Sequence, residues 1–288
     1  MSGPSRSGAP DPVVLLKLGG GLITDKGCPD TARPEVIRRL AGEIAATLRG
    51  PDAPRPAPRL ILGHGSGSFG HAAAARLGVH EGLGPGSGRE AGAGPAGVSR
   101  VQERAAALHR QVVEALLAEG ATPFSVAPSS ALVAAGGRPV RFEAEPLLLA
   151  LETGLLPVVY GDVVMDREQG CAIASTEAVF LALAEELGRR GVGVARALWA
   201  GATDGLLGPD GRRLDEVRLD AAGEALAAAG AAAATDVTGG MRLRLEAALK
   251  LARRGVPSLV FDGSVPGRLA AALRGEPVPG TRVLPRAP

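Results

Sequence analysis

The sequence predicts an α/β protein with a mostly parallel sheet covered on both faces. Two observations carry this. Short continuous runs rich in Val, Ile and Leu recur along the chain, each bounded by Gly or Pro, as strands buried on both faces of a parallel sheet require. Between them lie stretches whose apolar residues step by three and four, the spacing of amphipathic helices. Strand and helix alternate over the whole length, which is the mark of an α/β sheet. No repeat of fixed period interrupts the pattern.

Taken in order, VVLLKL from Val13 is the first strand, and Pro34 to Leu48 sets Val36, Ile37, Leu40, Ile44 and Leu48 on one helical face. RLILG from Arg59 is the next strand. Gly82 to Gly97 is almost all Gly, Ala, Pro and Ser and reads as a loop. Helical spacing returns over Val101 to Ala118, followed by the strand runs TPFSVA from Thr122 and LLPVVY from Leu155. GDVVM extends the latter, and DREQG from Asp166 is a hairpin turn at which a lobe boundary is placed. The second part holds a helix over Thr176 to Leu187, the strand ARALWA from Ala195, a tight turn GPDGRR from Gly208, a helix over Met241 to Arg254 and the strand PSLVF from Pro257. Ala221 to Ala234 reads as a surface helix or loop, and residues 1–12 as a flexible tail without the apolar stretch of a secretory signal.

Composition narrows the function classes. The 288 residues, 45% hydrophobic and 22% charged, suffice for one large core or two coupled lobes. Because 32 basic and 30 acidic residues leave only +2, no global basic field points to nucleic acid, and any anion site must be local. Aromatics at 2% argue against base stacking. Cys28 and Cys171 cannot form a disulfide framework or a four-cysteine zinc site, and the four histidines lack HxxxH or HExxH spacing. No metal-ligating residue is therefore expected, and a reducing, cytoplasmic setting is. A membrane span is not expected either, since no apolar run of about 18 residues occurs uninterrupted.

Three glycine-rich turns carry the chemistry. KLGGGLITDK, Lys17 to Lys26, follows the first strand; its glycines let backbone N–H groups approach a phosphate beside the Lys17 charge, or form a plain strand-to-helix turn. GHGSGSFGH, Gly63 to His71, also follows a strand. Gly65, Gly67 and Gly70 satisfy GxGxxG, but the acidic partner that a dinucleotide site needs, Glu90 by distance, has no strand before it. An anion-binding helix start remains. His64 is expected to be satisfied by neighbouring backbone, and His71, at the helix opening, to meet a phosphate. DVTGGMRLRLE, Asp236 to Glu246, starts a third helix with Thr238 as cap, and Arg242 and Arg244 are either surface charges or phosphate clamps. A Walker A loop and the protein-kinase set are missing. Three anion turns in one chain favour phosphoryl transfer, chemistry made mostly of positioning and charge neutralisation.

KLGGG with Lys26 nine positions after Lys17, HGSGSFGH, Gly161-Asp162, DVTGGM, Gly280-Thr281 and the PSS at Pro128 to Ser130 stand in an order that resembles the amino-acid kinase superfamily. Within it the chain resembles the isopentenyl phosphate kinase family, from Val13 to Val283. The resemblance implies an open αβα sandwich with two lobes in one domain: 13–170 for the acceptor phosphate, 171–288 for the nucleotide. It implies that ATP, with Mg²⁺, phosphorylates isopentenyl phosphate to isopentenyl diphosphate. Lys17, Leu18, Gly19, Gly20, Gly21, Gly67, Asp204, Gly239, Gly240 and Arg244 would bind ATP. Lys26 would stabilise the transferring phosphoryl group, Ser66, His71 and Gly161 would face the acceptor phosphate, and Asp162 would orient the lysines. The aliphatic tail would rest on side chains from the helix near Val101 to Leu117, and a homodimer is expected. The chain departs from the family pattern at Ser66 (usually Gly), at STEA from Ser175 (usually SGDD), at Ala202 (usually Asp) and at Arg244, where a lysine is usual and not equivalent on phosphate. A phosphonate kinase of the fosfomycin type and a non-catalytic nucleotide-responsive module are the rival readings. Retention of Lys17, Lys26 and His71 together argues against the second.

Overall fold

Val13–Leu18 forms β1, and all six of its residues are buried, which places it inside a sheet. In the computed structural model, which describes residues 11–50, 54, 57–83, 94–208, 211–219, 223, 225 and 240–286, β1 pairs in parallel with β2 (Arg59–His64) on one side and β9 (Val194–Gly201) on the other. Outward from β2 come β6 (Leu156–Tyr160) and the edge strand β3 (Pro123–Ser125). Outward from β9 come β11 (Ser258–Asp262), β12 (Thr281–Leu284) and β10 (Glu216–Arg218). Of these pairings only β11 with β12 is antiparallel. A second sheet of four strands runs in the order β5 (Arg138–Phe142), β4 (Leu132–Ala135), β7 (Asp162–Asp166), β8 (Gly170–Ala174).

The pleat of β1 sends alternate side chains to two cores. Val13 and Leu15 pack with Phe180, Leu183 and Leu187 of α7 (Thr176–Arg189) and with Leu245 and Leu249 of α8 (Gly240–Ala252). Val14, Leu16 and Leu18 meet Ile37, Leu40 and Ile44 of α2 (Pro34–Arg49), Leu108 and Val112 of α4 (Pro95–Ala118), and Leu269 and Leu273 of α9 (Arg268–Arg274). The result is the expected αβα sandwich. Each such aliphatic side chain contributes about 1.5–3 kcal/mol on burial. Lys17 shares the side of Val13 and Leu15, so it points at the α7 layer. A third, smaller cluster lies between α3 (Gly67–Arg76), α4 and the second sheet, made of Ala73, Ala74, Val79, Val101, Val163 and Cys171.

Some expectations are corrected. GDVVM is no extension of its predecessor but a separate strand, β7, in the other sheet, because the chain turns at Gly161, whose N–H donates to the His64 carbonyl (3.0 Å). Pro95 to Gly97 belong to α4 and not to the loop; Pro95 at the first helical position supplies the preset φ a helix start favours. The DREQG hairpin is present, fixed by Asp166. Its carboxylate accepts from the N–H groups of Glu168 and Gln169 in that turn and of Gly136 and Gly137 in the turn between β4 and β5. The division placed at 170/171 runs through the β7–β8 hairpin, and the eight-stranded sheet takes four strands from each side of it. Residues 1–10, 84–93 and 226–239, on which the tail, most of the Gly-rich loop, Thr238 and Gly239 fall, lie outside the described residues. Among the described residues no helix is long and apolar enough to cross a membrane.

Candidate active site

On either side of β1 the strand order reverses, and at the carboxyl ends of parallel strands such a switch point leaves a crevice. Here it is a cavity of about 380 Å³, lined by Lys17 near the end of β1 and Gly19 to Gly21 after it, Gly65 to Ser68 and His71 after β2, and Gly161 after β6. Its far wall is Ile173 to Glu177, Gly201 to Thr203 and the start of α8. The first residues of α3, α7 and α8 all reach it, and helix starts present unpaired N–H groups and partial positive charge to an anion.

The first two glycine turns form one cradle. A Cβ on Gly20 would stand 2.6 Å from the Gly67 nitrogen, and one on Gly65 would stand 2.7 Å from the Gly20 nitrogen. Thr24 pins the contact, donating to the Gly20 carbonyl (2.8 Å) and accepting from the Ser68 N–H (3.1 Å). Gly67 also has φ +50°, a left-handed conformation that favours glycine. GxGxxG spacing thus reflects backbone packed against backbone and not a dinucleotide fingerprint. Gly20→Ala is expected to push both turns apart, costing about 2 kcal/mol or more in stability and at least about tenfold in kcat/KM; thermal melts and steady-state kinetics check both.

Above the cradle sits a buried charge group. Lys17 (7% exposed) pairs through Nζ with Oε1 of Glu177 (6% exposed) at the start of α7. Burial lowers the Lys17 pKa, Glu177 opposes that, and Arg244 adds to it. Burial resists ionisation of Glu177, but Lys17 prevails and holds its carboxyl below the usual range. The Arg244 guanidinium lies over Gly19 and Gly201, such that a Cβ on Gly201 would meet Nη1 at 2.7 Å. The exposed Lys26 stretches its stem over Gly21. His71 opens to the cavity yet is ringed by protein; these surroundings, then the Lys17 charge, keep its imidazole below the ordinary histidine range.

The cavity therefore gathers Lys17, Gly19, Gly20, Gly21, Lys26, Ser66, Gly67, His71, Gly161, Gly240 and Arg244 of the expected residues. Three do not line it. Leu18 turns its side chain into the core and gives its carbonyl to the Gly65 N–H (2.9 Å). Asp204 is bound by Arg213 (2.6 Å) and by Arg268. Asp162, expected to orient the lysines, instead accepts from the Ser129 N–H (3.1 Å) and its neighbour Val163 (2.9 Å). Lys17 takes its carboxylate from Glu177, because β1 turns that lysine toward α7. Sequence reasoning missed this residue: STEA was read only as a departure, although an acid in the first turn of a helix after a strand was a usable signal. Thr176 was missed too; its hydroxyl donates to the His64 carbonyl (2.7 Å).

Glu177 is the one carboxylate among the described lining residues, and it is paired. Among the described residues no group of three His, Cys, Asp or Glu side chains could hold a metal. The described wall thus offers Mg²⁺ no cage of its own.

The family model for the amino acid kinase family matches residues 12–262. The chain is 32% identical to an isopentenyl phosphate kinase of Methanothermobacter thermautotrophicus, over 94% of this chain and 98% of that one. One from Methanocaldococcus jannaschii is 28% identical, with the same coverage of both chains. An X-ray structure of isopentenyl phosphate kinase superposes with a TM-score of 0.74 at 28% identity, covering 94% of this chain and 99% of that one.

Proposed function

Since the chain belongs to the amino acid kinase family and, within it, to the isopentenyl phosphate kinases, we infer that it transfers the γ-phosphoryl group of ATP to isopentenyl phosphate, giving isopentenyl diphosphate. The observation that best supports this is the meeting of Lys17, Lys26 and Arg244 with a double glycine cradle and three helix starts at one cavity. An oxygen of the acceptor phosphate forms a bond to Pγ while the bond from Pγ to the β,γ-bridging oxygen breaks, and ADP leaves. The attacking oxygen is already ionised, so no side chain has to remove a proton, and positioning with charge neutralisation remains. That accords with Asp162 being committed to Ser129.

In this reading Lys17, Gly19 to Gly21, Gly240 and Arg244 hold the ATP phosphates, Gly67 touches them from the other turn, and Lys26 meets the charge of the transferring group. Ser66, His71 and Gly161 hold the acceptor phosphate. The surroundings that lower the His71 pKa favour its neutral N–H donor form before the acceptor arrives, and a phosphate dianion beside the ring opposes that shift. The aliphatic tail runs toward Ile173, which both lines the cavity and packs on the Val79, Val101, Val163 and Cys171 cluster. Only the first turns of α4 serve it, through Val98 and Val101; Leu108, Val112 and Leu116 are buried under the main sheet. Mg²⁺ enters as the companion of the ATP phosphates, and a homodimer in the cytoplasm completes the proposal, supported by the family resemblance.

An ADP-release assay tests the substrate. Isopentenyl phosphate is expected to give a higher kcat/KM than other alkyl monophosphates, a phosphonate, glutamate, aspartate or uridine monophosphate, and a better amino acid, nucleotide or phosphonate overturns the assignment. His71→Ala is expected to raise KM for the acceptor at least about tenfold without changing ATP affinity, with His71→Gln intermediate. Equal losses for both ligands would reduce His71 to a loop-shaping residue.

A further inference from the structure

The Gly65–Ser66 turn, read above as part of the acceptor-phosphate site, rests on a row of rings at the carboxyl ends of β2, β6 and β3. His64, Tyr160 and His109 of α4 stack there, with centroids 4.3 Å apart for His109 and Tyr160 and 5.4 Å for His64 and His109. Their polar atoms form one line. His64 Nδ1 lies 3.1 Å from the Gly65 carbonyl oxygen, His64 Nε2 lies 3.1 Å from His109 Nδ1, and His109 Nε2 lies 2.8 Å from the Ser125 hydroxyl. A carbonyl oxygen only accepts, so His64 Nδ1 carries the proton and Nε2 of the neutral ring accepts. His109 Nδ1 must then donate to it, which leaves His109 Nε2 to accept from Ser125. Burial, then the neighbouring His109, pushes the His64 pKa down to about 3, and burial, then Arg110, pushes His109 down to about 4. Both rings are neutral at pH 7, as this pattern needs.

What the row grips is a peptide. The Gly65 carbonyl and the Ser66 N–H belong to one trans unit and point opposite ways. With the carbonyl fixed on His64, the N–H faces away from the buried rings, on the side where Ser66 and Gly161 line the cavity. It meets no acceptor among the described residues. Gly161 keeps that side open, since a Cβ there would stand 3.5 Å from the Ser66 nitrogen. The His64 backbone is held in turn, because its carbonyl accepts from both the Gly161 N–H and the Thr176 hydroxyl.

We propose that His64, through its Nδ1–H, aims the Ser66 N–H at the acceptor phosphate, and that His109 and Ser125 are positioning residues that fix the His64 tautomer. The proposal rests on the acceptor-site reading of the same turn. His64→Asn keeps a donor where Nδ1 stands, whereas His64→Gln places its amide where Nε2 stands. Asparagine is expected to hold KM for isopentenyl phosphate within about threefold of wild type and glutamine to raise it about tenfold, the loss of one oriented hydrogen bond, with KM for ATP unchanged in both. A merely space-filling ring would make asparagine the poorer variant, because it removes more of a fully buried side chain than glutamine does. An acceptor KM for asparagine equal to or above that for glutamine, or a shift in KM for ATP instead, overturns the proposal. Wild-type protein supplies a reading free of folding defects. Its ¹⁵N-histidine spectrum at pH 7 is expected to show His64 and His109 as neutral Nδ1–H tautomers, and an Nε2–H tautomer at His64 overturns the row. If the wild type turns over ATP with isopentenyl phosphate but these signatures fail, the positioning role alone falls. If it does not turn over, the substrate assignment falls first.

Discussion

Lys26→Ala is expected to lower kcat by roughly a hundredfold or more while KM for ATP stays nearly constant, the pattern left when a donor that acts mainly on the transition state is removed. The contrast with Lys17 supports this. Lys17 is buried and tied to Glu177, so its charge is fixed in place before any ligand arrives. Lys26 is exposed, on a flexible stem that crosses Gly21 into the cavity. In phosphoryl transfer the charge spreads over the equatorial oxygens only as the bond to the leaving group breaks. A flexible ammonium at the cavity's rim can follow that charge, whereas a rigid one serves the ground state equally well. Single-turnover and steady-state kinetics decide the matter. A change confined to KM for ATP would make Lys26 a ground-state ligand.

Six strands of the main sheet were legible, because strands buried on both faces read as short runs dominated by apolar residues, as β1, β2, β6 and β9 do, and α2 announced its buried face through Ile37, Leu40 and Ile44; β10 and β12, only three and four residues long, were not read. The second sheet was not. Its strands are four or five residues long, and β5 carries Arg138, Pro139 and Arg141, so periodicity had too few residues to act on. At the site, the glycine turns, Lys26, His71 and Arg244 stood out because their chemistry is local. The misread carboxylates were long-range facts. Glu177 lies 160 residues from Lys17, and only the β1 pleat facing α7 joins them. Asp162 follows Gly161 in the motif, but its strand leaves for the other sheet and carries the carboxylate to Ser129.

That same distant pair should give the largest stability effect. Glu177→Ala leaves the Lys17 ammonium buried beside Arg244 without its counter-charge, a change expected to cost about 3–5 kcal/mol. Glu177→Gln keeps the shape but not the charge and is the cleaner probe. Burial already lowers the Lys17 pKa and Glu177 opposes this, so without the carboxylate the lysine loses its proton at lower pH. The alkaline limb of kcat/KM for ATP is therefore expected to move down in pH in Glu177→Gln. The acid side follows from linkage. Because the folded-state pKa of Glu177 is depressed, its stabilisation is complete above its unfolded value and lost as pH falls through the folded one. In wild type this adds to the fall in stability below about pH 4.5, the ordinary glutamate value, and in Glu177→Gln that contribution disappears. Glu177→Asp, which retains a carboxylate, is expected to keep the alkaline limb near its wild-type position. Thermal melts from pH 3 to 10 alongside the pH–rate profiles check each sign. An unshifted alkaline limb in Glu177→Gln would mean that Lys17 keeps its proton without this partner, and the role of Glu177 would shrink to packing.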